Sequence, residues 1–137
     1  MYTLNSGMCP GLESDKSGKK MKKIIYGKNW NLTYIADQGE YKGVRYFISA
    51  GGFHPCAYVM CDKSFVESHR NDWGGLDGID VHGGVTWCGD VSRLRTHPEG
   101  YEGICFGWDY GHFNDWAGYL SDEENMMSLN KKWTTEE

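Results

Sequence analysis

Glycine interrupts this chain so often that no apolar run can grow into a long helix. The 137 residues hold 19 Gly and three Pro. Glycine weakens the interior of a helix or strand, but in a turn it supplies the positive φ that other residues resist. No fixed period links the glycines, so they read as turn and bulge positions rather than as a fibrous repeat. Between them lie short runs rich in β-branched and aromatic residues: Ile24–Tyr26, Leu32–Ile35, Val44–Ile48, Cys56–Cys61, Ile79–Cys88 and Gly103–Trp108. Each has strand length. Gly39 to Gly43 marks a turn before the third run, and Gly51-Gly52 a hairpin connection after it. The pattern predicts an α+β fold, one compact domain of mainly antiparallel strands with short helices.

Helix signals are brief. Ser64–His69 fits one helical turn inside the polar stretch 62–78, a loop long enough to be functional or mobile. Ser121-Asp122-Glu123-Glu124 forms a capping box, with Met126, Met127 and Leu129 expected to supply the apolar face. Residues 1–22 are polar and irregular and are expected to form a flexible N-terminal extension, with Met21 an alternative start. The domain is then 23–137. Six Trp and nine Tyr supply large buried areas, which a core this small needs.

Charge narrows the partners. A formal net charge of -5 argues against a dedicated binder of nucleic-acid backbone. The one basic run, Lys19, Lys20, Lys22 and Lys23, reads as a solvated tail. No apolar stretch approaches 18 residues, and no secretory leader is recognisable, so no membrane partner is expected. Five cysteines, an odd number, then suggest reduced thiols in a cytoplasmic setting. Cys56 and Cys61 do not have the two-residue spacing of a zinc knuckle.

Two segments concentrate the chemistry. In Ile79-Asp80-Val81-His82, strand alternation would put Asp80 and His82 on one face. Gly83 and Gly84 then allow a ligand or backbone to approach, with Thr86 beyond them. In the second segment Ile104, Phe106 and Trp108 alternate with Cys105, Gly107 and Asp109, so Asp109 faces away from the aromatic side. His112 and Asp115 follow at three-residue intervals, and one helical turn would place Asp109, His112 and Asp115 on a common face. Three readings stay open. His82, Asp109, His112 and Asp115 suit a divalent metal through mixed nitrogen and oxygen ligands. They equally suit an acid/base pair in which an Asp fixes a His tautomer, with His82, Asp109 and His112 catalytic. The plain alternative is that Asp and His beside glycine turns only satisfy strand ends. Asp80, Gly83, Gly84, Thr86, Trp108 and Asp115 are the candidate ligand contacts. A Cys88–His82 nucleophile pair is a weaker candidate.

Asp80-Val81-His82-Gly83-Gly84-Val85-Thr86-Trp87 and Gly107-Trp108-Asp109-Tyr110-Gly111-His112-Phe113-Asn114-Asp115 resemble a family of small phage and prophage proteins. Their pattern reads Val-His-Gly-Gly-Leu-Thr-Tyr, then Gly-Phe-Asp-Cys-Ala-His-x-x-Asp. Lys42-Gly43-Val44-Arg45 and Gly52–Val59 are similar to the family's upstream motifs, so the resemblance spans about residues 40–118. Tyr110 stands where the family has a small residue, and Asn114 where it has glycine. Residues 132–137 are similar to the start of a final family helix, which this protein is therefore expected to lack. The resemblance implies phage origin and site positions, without a reaction. The expected function is a phage- or prophage-encoded accessory or counter-defence protein in the host cytoplasm. Its His/Asp pocket would act on a small nucleotide-like or phosphorylated ligand, with metal-dependent hydrolysis as one version. The alternative is a non-catalytic module that sequesters a ligand or binds a host defence protein.

Overall fold

Lys42 and Gly43 take positive φ (51° and 80°), the left-handed pair that closes a tight hairpin between β3 (Tyr34–Tyr41) and β4 (Val44–Ala50). The structure, a computed structural model, describes residues 12–14, 20–22, 24–29, 32–73 and 75–133, the first two segments as backbone alone. The expected N-terminal extension lies mostly outside the described residues. Its described part is β1 (Leu12–Ser14) paired antiparallel with β2 (Lys20–Lys22). After β4 come β5 (Cys56–Cys61), α1 (Lys63–His69), β6 (Trp87–Asp90), β7 (Ile104–Asp109) and α2 (Asp122–Met127). The main sheet has the order β3-β4-β5-β7-β6, and every neighbouring pair is antiparallel. This is the α+β architecture that the sequence predicts.

Register explains the core. Phe47, Tyr58, Gly107 and Trp87 are successive cross-strand partners from β4 to β6. Phe47 stacks on Tyr58 at 4.8 Å, and Tyr58 meets Trp87 edge-on at 6.1 Å. The two rings meet over β7 because Gly107 has no side chain; a Cβ there would lie 2.4 Å from the Tyr58 ring. Phe47, Val91, Tyr101 and Cys105 form the buried cluster on this face. Complete burial of Phe47 contributes about 2–3 kcal/mol. On the other face Phe65 of α1 lies flat on Phe106 at 5.6 Å, and Val66 is buried. That packing is what fixes α1, whose N-cap Asp62 accepts from Phe65 N.

Three expectations fail for physical reasons. Ile24–Tyr26 forms no ladder strand, although Gly51 N donates to Ile25 O and Gly27 N to Gly52 O. The Leu32–Ile35 run begins its strand only at Tyr34 and continues through Gly39, so the turn falls at Lys42-Gly43. Most consequentially, Ile79–Cys88 is not one strand. Gly83 and Gly84 both take positive φ (72° and 81°), which breaks extended backbone, and β6 starts at Trp87.

α2 has the expected capping box: Ser121 Oγ accepts from Glu124 N, and Glu124 Oε1 accepts from Ser121 N. Its expected apolar face is absent, because Met126, Met127 and Leu129 are exposed. The helix docks through Asn125 instead, which is fully buried. Asn125 Oδ1 accepts from Ala117 N at 2.9 Å, and its Nδ2 donates to Ala117 O and Ser121 O. Asn125→Ala is therefore expected to destabilise the protein by ~3 kcal/mol, since it strands buried backbone partners. Met127→Ala should stay within about 0.5 kcal/mol. Urea unfolding of the two variants checks the contrast.

Candidate functional site

β7 delivers Asp109 to the end of the sheet, opposite Cys56 of β5. Beyond it the chain turns sharply. Gly111 N donates to Asp109 Oδ1 at 3.1 Å, and Asp115 N to His112 O at 3.0 Å. Asn114 sits at φ 68°, so this stretch is a tight turn and not the helical turn expected from the spacing. The turn nevertheless brings the residues together, because Asp115 Oδ2 accepts from His112 N at 2.9 Å.

His82 arrives by a different route from the one the sequence suggested. Residues 81–86 are irregular, with Gly84 N bonded to Val81 O, so strand parity does not align Asp80 with His82. His82 Nε2 donates to Asp115 Oδ2 at 2.7 Å. Its ring lies parallel to Tyr110 at 4.7 Å and against Trp133 at 4.8 Å. The Asp115 carboxylate is only 3% exposed and holds a third donor, Trp133 Nε1, at 2.9 Å. Burial pushes its pKa up, but the hydrogen bonds from His82, His112 and Trp133 outweigh burial and hold it below the ordinary aspartate range.

The second pair is looser. His112 Nε2 lies 3.1 Å from Asp109 Oδ1, with side chains 36% and 28% exposed. The proximity is real but misaligned, and Nε2 is enclosed without a hydrogen-bond partner. Gly83 explains the enclosure, since a Cβ there would lie 2.2 Å from that nitrogen. Asp109 Oδ2 also takes a long 3.5 Å contact from Thr86 Oγ1. The two imidazoles meet edge-on at 5.4 Å between ring centroids.

His82, Asp109, His112, Asp115, Gly83 and Thr86 thus converge. Asp80 is exposed, and the hydrogen bonds that knit the cluster do not involve it. Trp108 points to the opposite sheet face, reaching the site only through Nε1 donation to Tyr110 Oη at 3.1 Å. Cys88 lies on β6 paired with Phe106, and the parity that put it beside His82 is lost. Cys56, with His54 Nδ1 at 3.7 Å, is no better a nucleophile, because burial pushes its thiol up to about 11. Among the described residues no group of three or more His, Cys, Asp or Glu is placed to hold a metal ion. That arrangement lends no support to a metal at His82, Asp109, His112 and Asp115, and Asp115 already accepts from three protein donors. Tyr110 and Trp133 are the partners the sequence did not reveal. Lys132 and Trp133 are not helical, and the rest of the segment similar to the family's final helix, 134–137, lies outside the described residues.

Gly83→Ala should cost ~2–4 kcal/mol, combining a left-handed backbone with displacement of His112. Gly84→Ala has the same backbone problem but nothing within 4 Å of the new carbon, so it should cost ~1–2 kcal/mol. Combining Gly83→Ala with His112→Ala should recover much of the difference in a thermal-unfolding cycle. Asp115 gives a pH signature. Its lowered folded pKa adds stability that is fully present above the ordinary value of 3.8 and is lost as pH falls through the folded value. Asp115→Asn should therefore be less stable at pH 7 by ~2–4 kcal/mol and show a flatter acid limb in denaturation measured from pH 5 to 2.

Compared with protein-family models, curated proteins and solved structures, the chain matches none. Any reading of its function rests on the residues and geometry above.

Proposed function

We propose that this is a phage- or prophage-encoded accessory or counter-defence protein whose two His–Asp pairs transfer protons on a small nucleotide-like or phosphorylated ligand. The observation that carries the reading is His112, a partly exposed imidazole whose Nε2 is shut against Asp109 and Gly83 without a hydrogen bond. Its other ring nitrogen is then the one left to exchange a proton with a ligand. His82 is constrained in the same way, with Nε2 committed to Asp115. Two oriented imidazoles 5.4 Å apart suit paired acid/base work. In hydrolysis of a phosphate ester, one ring takes a proton from water as its oxygen attacks phosphorus. The other gives a proton to the departing oxygen. No metal enters this version.

One observation favours a second reading, a non-catalytic module that binds a host protein. Phe113, inside the His112–Asp115 turn, is 93% exposed, and Met127 and Leu129 are exposed nearby in sequence to Ser128. Asn114 Nδ2 donates to Ser128 O, which ties these two apolar stretches together.

Turnover of nucleotides and phosphate monoesters, followed by phosphate release and chromatography, separates the readings. Proton transfer predicts a loss of ~10²–10⁴-fold in turnover for His112→Gln, with unchanged melting temperature. Nucleotide recovered intact from the protein, with no substrate turned over, would sink it in favour of sequestration. If host-protein binding is the role, Phe113→Ser abolishes the effect on plaque formation while His112→Gln leaves it intact.

A further inference from the structure

Leu129 follows α2 at the position where helices most often carry glycine. The last turn closes with two backbone bonds, from Leu129 N to Met126 O at 3.1 Å and from Asn130 N to Asn125 O at 3.0 Å. Such a pair marks a helix end whose closing residue is left-handed, a conformation that glycine adopts without steric cost. Leu129 adopts it at φ 56°. A leucine is strained there, and at 84% exposure its burial does not offset the strain. Neither helix termination nor core packing accounts for this side chain.

Its surroundings share the exposure. Asn125 faces the core, so a step of about 100° per residue puts Glu123 and Met127 on the outer side of α2, one turn apart, with Asp122 and Met126 on the flank. Met127 is 85% exposed. Phe113 joins them from the neighbouring turn, because Asn114 Nδ2 donates to Ser128 O and Lys131 N to Asn114 O. Phe113, Met127 and Leu129 thus border one hydrogen-bonded seam, whereas exposed apolar side chains ordinarily scatter singly. The acids beside them are available: among the described residues, the Asp122 and Glu123 side chains hold no hydrogen bond or ion pair. Lys131 and Lys132, further along the chain, lie over the Trp133 and Trp116 rings.

Charge and area select the occupant. Almost fully exposed side chains of this size present on the order of 150 Å² each, so the patch falls short of the ~800 Å² per partner of a stable dimer. A two-fold dimer through it would also bring two acidic rims together. An anionic lipid surface or a nucleic acid would meet the same repulsion. A short amphipathic segment with lysine or arginine beside its apolar residues matches both halves of the surface, and thioether side chains adapt to such partners.

We propose that Phe113, Met126, Met127 and Leu129 dock a basic amphipathic segment of a partner protein, with Asp122 and Glu123 beside its cations. The proposal rests on the host-protein reading of this surface and supplies the chemistry of the partner. It does not involve the His–Asp pairs.

Fluorescence-anisotropy titration of the whole chain with labelled amphipathic helical peptides tests it: one of leucine and lysine, one of leucine and glutamate, one of serine and lysine. Only the leucine/lysine peptide should bind. Leu129→Gly should weaken that binding by about tenfold or more, yet raise the melting temperature by a few degrees as glycine relieves the strain. A leucine that served stability alone could not separate the two readouts. Joint Asp122→Asn and Glu123→Gln substitution should weaken binding by ~3–10-fold and flatten its salt dependence. Failure of the leucine/lysine peptide to bind overturns the proposal. So does equal binding of either other peptide, or binding unchanged in Leu129→Gly. Self-association that Leu129→Gly abolishes, seen by sedimentation, overturns it in favour of a second copy, and co-sedimentation with phospholipid vesicles in favour of a lipid surface. A plaque effect that survives Phe113→Ser removes the host-protein reading and this proposal together. One that is lost in Phe113→Ser while no peptide binds removes the basic partner alone.

Discussion

Asp115 accepts hydrogen bonds from three stretches of chain that the sheet alone would leave unconnected: the glycine turn through His82, its own turn through His112 N, and the C-terminal stretch through Trp133. A nearly buried carboxylate would be costly without such donors, and charge-assisted bonds of this kind are stronger than neutral ones. The same residue forms a parallel bridge with Lys131, and Trp116 N donates to Lys131 O beside it. Position and ionisation therefore depend on each other. The carboxylate stays charged because the donors converge, and the donors converge because the charge is there.

The two His–Asp pairs consequently differ in kind. The Asp115 carboxylate holds three donors, and the His82 ring of this pair packs against Tyr110 and Trp133. The Asp109 pair is partly exposed and leaves an imidazole nitrogen without an aligned partner. Well-satisfied polar groups stabilise a fold, while an enclosed nitrogen without a partner costs stability and leaves the other nitrogen of its ring to meet a ligand. This division is what the proposed proton transfer rests on. It also accounts for Gly83, whose missing side chain is the space that the His112 ring occupies.

Much of the fold was legible because its signals are local. Val44–Ala50, Cys56–Cys61 and Ile104–Asp109 carry their strand character in the residues themselves, and the Ser121/Glu124 box caps its helix within four residues. The grouping of His82 with Asp109, His112 and Asp115 was legible too, but the route was misread. Alternation assumed extended backbone through Gly83-Gly84, whereas both adopt left-handed conformations that alternation cannot register. The face of α2 was misread for a related reason: Met126 and Met127 look like core, yet Asn125 satisfies more buried backbone groups than a methionine could.

By itself, then, the order of residues determined where strands could form, where helices start, and which imidazoles and carboxylates were available. Those outcomes depend on propensities and hydrogen bonds spanning a few residues. Only the folded chain decided that Trp133 closes over His82, that Asp80 and Trp108 stand outside the cluster, and that the Thr33 and Thr96 hydroxyls meet across 63 residues. Contacts between positions tens of residues apart are set by which strands pair and how side chains pack across them, and no local pattern encodes that choice.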